Sequence, residues 1–482
     1  MRASIFRVGL GNAAGLVITA ASIPILARLF DPHAFGVLAV AQTAFVILAN
    51  VGTLRYETAM LLPSEDIVAT RLAVAGLSSL LAVSVVGGIL TAACTPWLGP
   101  DFAGDSRLFW GFVVFTGTLG GGIFQVVTAW LNREGSYGRY GLATCWLAVA
   151  NVLCPILAAL FGAKGPGSLV VAVVVGQGGV ALGLLLGYLV KNPSLYREVS
   201  HPSRVLQAAC DYSAYPLFMT PYGLVTILRN RAVYPIFSFF QAVPAAGLFS
   251  LANRVLNLPN SVLSNAIRPV LYRESGVVGI RNLESIILLL VQSLGKIGVL
   301  LSVPLLIYAK TLVGLVLGTA WLPMVPYLQL LALPAIPLIM GDFADRLFDR
   351  LGHQKTALWL ETSFAVLSIT LLAVVFGVTK DARLATAAHA AAQSIYYLVW
   401  LMVLFRISGL GLPTLGHIIL VVAAWASSAA GISLLAASLF SPIWAAGLSI
   451  VLCFTAAAWI LTRQNILKLP QTGACAPDHG RL

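Results

Sequence analysis

The chain has 482 residues, of which 59% are hydrophobic and only 10% charged. Soluble domains carry roughly a quarter charged residues, and one soluble core cannot hide this much apolar surface. Cytosolic enzymes, disordered chains and secreted disulfide scaffolds are therefore excluded, and the formal net charge of +12 must be explained in a lipid setting.

Apolar stretches near 20 residues are the signature of bilayer-spanning helices. Fourteen are expected, over about 8–29, 34–54, 72–93, 109–131, 142–161, 169–190, 214–235, 246–267, 285–308, 322–341, 356–378, 384–405, 415–438 and 442–462. The predicted class is an all-α polytopic membrane protein. The first stretch follows Arg2 and Arg7 in the manner of a signal peptide. It is too long for a typical h-region, so an uncleaved helix is expected. Gly9, Gly11 and Gly15 lack the strand and spacing of a nucleotide loop and read instead as a close helix-packing face.

The basic residues test this map. With the amino terminus in the cytoplasm, nineteen of the 29 fall in cytoplasmic segments. Six lie opposite: Arg28, Arg107, Lys164, Lys310, Lys380 and Arg383. That bias follows the positive-inside rule, so both termini are expected in the cytoplasm. The charge is spread along loops, which removes the need for a nucleic-acid partner. The six cysteines (Cys94, Cys145, Cys154, Cys210, Cys453 and Cys475) are scattered without metal spacing, so no metal site, cofactor or disulfide is expected.

The longest polar gap, about 191–213, reads as a connector, and the longest on the other side, about 94–108, is shorter. Neither holds a catalytic domain. Three local patterns recur. Pro32 and Gly36 near the end of span one match Pro244 and Gly247 near the end of span seven. Leu54-Arg55-Tyr56-Glu57 matches Leu271-Tyr272-Arg273-Glu274, and Asn132-Arg133-Glu134-Gly135 matches Asp349-Arg350-Leu351-Gly352. A nearly constant offset predicts two parallel six-helix lobes, a known transporter plan with its substrate site between the halves. The expected domains are an amino-terminal lobe at 1–190, a connector at 191–213, a second lobe at 214–405, and two extra helices with a cytoplasmic tail at 406–482. The extra helices carry Trp425 and Trp444 but no charge and are assigned to lipid or partner contacts.

Ile25-Leu26-Ala27-Arg28-Leu29-Phe30-Asp31-Pro32, then Phe35-Gly36, Leu54-Arg55-Tyr56-Glu57 and Leu62-Pro63, resemble the start of the oligosaccharide flippases of the O-antigen translocase (Wzx) type. The run from Gly247 to Pro259 is similar to that family's eighth helix, and Gly318-Thr319-Ala320-Trp321 with Tyr327 to its tenth-helix region. The likeness runs over about residues 1–405. It implies the two-lobed, V-shaped fold of the multidrug/oligosaccharidyl-lipid/polysaccharide exporter superfamily. It also implies translocation of an undecaprenyl-diphosphate-linked oligosaccharide across the bacterial inner membrane for O-antigen, exopolysaccharide or capsule assembly. The implied partners are that lipid-linked glycan, the bilayer and polysaccharide polymerase or export machinery.

Four cations fall inside predicted spans: Arg229, Arg231, Arg254 and Lys296. A charge deep in a span costs at least ~2.5–3.5 kcal/mol and is a functional hypothesis by default. At about 1.5 Å per residue, Lys296 lies about 17 Å, Arg254 about 12 Å and Arg229 about 22 Å into their spans, while Arg231 is nearer one face. Glu361 is the one clearly intramembrane acid. One acid cannot neutralise four cations, which predicts a basic cavity suited to a diphosphate, whose oxygens match guanidinium forks.

Several residues keep two readings. Arg231 lines the cavity or snorkels to the interface, and its spacing of two from Arg229 sends the pair to different helix faces. Glu361 is a structural partner or an ion-coupling site, and His389 is a packing residue or a proton relay. Asp342 is a further ion-coupling candidate. Arg28 and Asp31 form a local ion pair or a gate. The first six spans lack an interior charge, unlike the related lipid II flippases, whose first helices contribute cavity arginines. The drug antiporters of the superfamily tend to carry an acid in the first helix, which is missing here. A small-cation antiporter and a membrane-embedded polysaccharide polymerase or ligase are the alternatives.

Overall fold

A computed structural model describes residues 2–95, 102, 107–191, 198, 200–277, 280–344, 347–348 and 351–463. The described chain is helical throughout its regular structure. The first half runs through α1 (Arg2–Leu29), α2 (Pro32–Gly52), a short α3 (Tyr56–Ala59), α4 (Asp66–Cys94), α5 (Arg107–Arg133), α6 (Tyr137–Leu160) and α7 (Pro166–Lys191). Next come α8 (Pro202–Asp211), α9 (Thr220–Arg231), α10 (Val233–Phe239), α11 (Val243–Val277) and α12 (Ile280–Val316). The last are α13 (Val325–Gly341), α14 (Gln354–Thr379), α15 (Ala382–Ile407), α16 (Leu412–Leu439) and α17 (Pro442–Arg463).

Among the described residues, eleven helical segments are long and apolar enough to cross a membrane. The other three expected spans fall on less regular elements. The apolar part of α1 is shorter, Ala14–Leu29. Span seven is broken into a π-helical turn at Tyr215–Met219, α9 and α10. Pro216 and Pro221 lie within it and donate no backbone hydrogen bond, so a regular i→i−4 ladder cannot run through it. Span eight lies on the polar, long α11. The tail after Arg463, with Lys468, Cys475 and Arg481, lies outside the described residues, as do Arg346, Asp349 and Arg350.

The chain divides into two compact units. The first comprises Met1–Val255, Val313–Tyr327 and Glu361–His389; the second comprises Leu256–Leu312, Leu328–Leu360 and Ala390–Leu482.

In the first unit α1 packs along α6, α4 against α5, and α5 and α6 against α7, with α2 among α4, α5 and α7. Missing side chains set these approaches. A Cβ on Gly11 would lie 2.4 Å from Gly141 Cα, and Gly88 and Gly111 face each other so closely that either Cβ would meet the other's carbonyl at 2.9 or 2.7 Å. Lipid offers no hydrophobic drive between helices, so such close backbone packing carries much of the association. The packing face expected of Gly11 and Gly15 is this contact with α6. The connector holds α8, a short polar helix resting on α4, with Tyr56 Oη donating to the Ala209 carbonyl at 3.2 Å.

In the second unit α16 and α17 do more than face lipid. Tyr308 of α12 donates to the Ser433 carbonyl of α16, and Ser449 Oγ of α17 donates to Tyr308 Oη at 3.4 Å. Ala436, Ala445 and Ala446 are buried around that hydroxyl. Small residues let these helices close on α12, while Leu434, Leu435 and Trp444 stay exposed for the membrane. Each of the two helices thus has one internal face beside an exposed apolar one.

Candidate functional site: a basic cluster within the helices

The end of α1 turns into α2 through a capped start. Asp31 Oδ1 accepts from the Ala34 N–H at 2.8 Å, and Pro32 occupies the first helical position, where its missing donor is harmless. Arg28, exposed on the preceding turn, instead donates to the Leu315 carbonyl at 3.1 Å. Two separate contacts thus replace the expected local ion pair, because Asp31 is committed to the α2 cap. Beside them Trp321 Nε1 donates to the Ala27 carbonyl at 2.6 Å, and Phe35 meets the Trp321 ring edge-on at 5.2 Å.

The recurring Pro–Gly patterns meet one another here. A Cβ on Gly36 would stand 2.0 Å from the Val243 carbonyl oxygen, and one on Gly247 would stand 1.8 Å from that of Pro32. The contact is reciprocal, with the start of α2 laid against the start of α11, backbone on backbone.

Deeper in the first unit lie three of the four span cations. Arg229, in the last turn of α9, is buried, and its Nε lies 3.1 Å from Glu361 Oε2 of α14. Both side chains are about a tenth exposed. Unpaired burial of either group would cost several kcal/mol, so the one intramembrane acid is taken by one cation. Part of the Arg229 fork is thus engaged by that acid. His389 of α15 is buried against Phe249, with ring centroids 5.8 Å apart.

Arg231 and Arg254 are different. They lie on α9 and α11, both half-buried, and Arg254 sits within the electrostatic reach of Arg231 and of Tyr234. Among the described residues no carboxylate pairs with either one. Two neighbouring cations without a counter-charge are matched by an anion that brings its own oxygens.

By its expected bounds span two ends just before Arg55. Leu54 and Arg55 both adopt positive φ, 50° and 60°, unusual for residues with side chains. The turn tucks the Arg55 guanidinium and Asn50 beneath α9 at Gly223, where a Cβ would lie 2.3 Å from Arg55 Nη2 and 2.8 Å from Asn50 Oδ1. Arg55 also faces Glu57 at 3.6 Å. Nothing local in the sequence marks this; the signal is the glycine on a remote helix.

The second unit holds the remaining candidates. Lys296 of α12 is half-buried, with its ammonium 5.8 Å from the centroid of the Trp425 ring of α16. Gly295 makes this reach available, since a Cβ there would strike Val422 at 2.6 Å. Asp342 accepts from Asn260 Nδ2 at 3.0 Å and from Ser264 Oγ at 2.8 Å. The structure therefore brings Arg229 to Glu361 and Arg231 to Arg254, and holds Lys296 and Asp342 in separate settings.

A bundle with eleven helical segments long and apolar enough to cross a membrane, among the described residues, defines a polytopic membrane protein. Residues 25–326 match the family described as "Polysaccharide biosynthesis protein", and the chain belongs to that family. It is 24% identical over 261 residues to the succinoglycan biosynthesis transport protein ExoT of Rhizobium meliloti (strain 1021), an alignment covering 53% of this chain and 49% of that protein. The chain thus spans about half the length of the curated relative it matches. Its fold is that of the lipid II flippase MurJ in an inward closed conformation, with a TM-score of 0.72 at 12% identity over 97% of this chain and 100% of that one. An inward-facing multidrug resistance MATE transporter of the MOP superfamily shares it, with a TM-score of 0.56 at 15% identity over 84% and 94% of the two chains.

Proposed function

We propose that this protein is a flippase that moves an undecaprenyl-diphosphate-linked oligosaccharide from the cytoplasmic to the outer leaflet of the bacterial inner membrane. The glycan feeds surface polysaccharide assembly. Both termini lie in the cytoplasm, and lobes 1–190 and 214–405 rock in alternating access. The observation that carries the reading is the pair of arginines Arg231 and Arg254, half-buried on α9 and α11 within electrostatic reach of each other and without a described counter-charge. Half-buried cations in expected spans are retained at a cost, and a diphosphate supplies what they lack. Family membership supports the polysaccharide context. Lys296 is a second anion contact within its own unit, and the Arg229–Glu361 pair is a positioning element for α9.

A bilayer-spanning helix set gives the diphosphate no other passage, because an unpaired charge in hydrocarbon is prohibitive. The arginines replace its hydration without a chemical step, so no cofactor is needed. In a strain lacking this protein, the lipid-linked glycan accumulates on the cytoplasmic leaflet. The intact protein relieves that accumulation, while Arg254→Ala, expressed to the same level, leaves it in place. A normal glycan pool combined with altered efflux of small cations would overturn the reading in favour of an antiporter.

A further inference from the structure

Away from the arginine cluster, α5, α6 and α7 enclose a groove of about 440 Å³, within the range of ligand pockets. Its walls are apolar: Leu142 and Trp146 of α6 are exposed along one side, and Leu184 of α7 lies on the other. Trp130 and Tyr188 close the back, with ring centroids 5.0 Å apart. The groove is also lined by two glycines one turn apart, Gly183 and Gly187, and a Cβ on either would meet nothing within 4 Å. Glycine inside a helix costs about 1 kcal/mol against alanine. At Gly11 or Gly88 a touching backbone accounts for it; here the missing side chains leave open space inside the groove.

Charged groups gather at one end. Arg139 and Lys191 line the groove and are exposed, and among the described residues neither is held by a hydrogen bond or ion pair. Glu134 is there as well, but its Oε1 already accepts from Trp130 Nε1 at 2.7 Å. Two cations and one acid leave a single net positive charge at the mouth of an apolar slot. That combination fits an amphiphile with hydrocarbon in the slot and one negative charge at its head.

We infer that the α5–α6–α7 groove is a binding site for an anionic phospholipid of the phosphatidylglycerol class, drawn from the leaflet at the basic end of these helices. The hydrocarbon chain lies over Gly183 and Gly187 between Leu142, Trp146 and Leu184. The phosphate is held by Arg139 and Lys191. The site is independent of the arginine pair in α9 and α11 and stands whether or not the carried molecule is a lipid-linked glycan.

The test is native mass spectrometry of the full-length protein in detergent, titrated with phosphatidylglycerol or phosphatidylcholine, with thermal unfolding followed in parallel. Phosphatidylglycerol forms a tight one-to-one adduct and raises the unfolding temperature, and phosphatidylcholine does neither. Gly183→Leu grows into the groove from a Cβ that meets nothing within 4 Å, keeps the fold and abolishes the adduct. The double variant Arg139→Gln/Lys191→Gln lowers the apparent affinity about tenfold, the scale of one lost charge-assisted contact. Arg204→Gln, an exposed cation on α8, leaves the affinity unchanged. Equal response to both lipids, a surviving adduct in Gly183→Leu, or an equal loss in Arg204→Gln would overturn the site. Binding of undecaprenyl phosphate but not phosphatidylglycerol would overturn the choice of occupant.

Discussion

The helix seams and the arginine cluster of the first unit solve opposite problems. At Gly11–Gly141, Gly88–Gly111 and Gly36–Gly247 the chain removes side chains so that backbones touch, or nearly so, without any charge. On α9, α11 and α14 it places three arginines and one glutamate, and the described contacts pair only one of those arginines with the acid. A seam contributes through dispersion and gains nothing from a ligand. The cluster leaves electrostatic demand that an anion can meet. The glycine seams hold the bundle together and the arginines are proposed to hold a passenger, so substitutions in the two sets should fail in different ways.

The largest effect is expected at the cluster. Arg254→Ala abolishes translocation with normal membrane insertion, measured by transport beside quantitative immunoblotting; Arg254→Lys keeps the charge but loses the fork and recovers only part of it. Next is Glu361→Gln, which removes the charge facing Arg229 and destabilises the protein by about 3–5 kcal/mol, read as a lowered unfolding temperature in detergent. The double variant Arg229→Met/Glu361→Met removes both charges and recovers most of that stability. If the single and double variants were equally unstable, the ion pair would not be the structural element described. At the seam, Gly247→Ala must push the Pro32 backbone away and costs about 1–3 kcal/mol, seen as weakened protection of the α2 start in hydrogen exchange. The smallest effect is Trp425→Leu, which removes the ring beneath Lys296 and costs about 0.5–2 kcal/mol, visible as a small drop in unfolding temperature.

Much of the fold was legible because each membrane helix carries its own signal: about 20 apolar residues, bounded by charge or by proline. The exceptions follow from the same physics. The α8 helix is short and polar, so no hydropathy window registers it, and it owes its place to α4. Span seven reads as one apolar stretch, yet Pro216 and Pro221 sit where a continuous ladder would run. The meeting of Gly36 with Gly247 was half visible, since the two motifs repeat, but a repeat does not reveal that its copies touch. Of the other two repeat pairs, the side chains of 272–274 and residues Asp349 and Arg350 lie outside the described residues.

At the site, the charges themselves were legible and their partners were not. Hydropathy singles out Arg229, Arg231, Arg254, Lys296 and Glu361 because each interrupts an apolar run. It does not say which cation the glutamate takes, since that depends on how α9 and α14 pack. Arg55 was missed for the complementary reason: it sits among polar neighbours at a helix end, and its burial comes from Gly223 on another helix.

The most direct measurement of the central claim is translocation of a labelled undecaprenyl-diphosphate oligosaccharide in proteoliposomes of the purified protein, comparing wild type with Arg231→Ala, Arg254→Ala and Gly247→Ala. The account predicts that both arginine variants bind the substrate more weakly and fail to move it, while Gly247→Ala binds it normally and is impaired only in turnover. Undiminished binding and transport in Arg231→Ala and Arg254→Ala would contradict it.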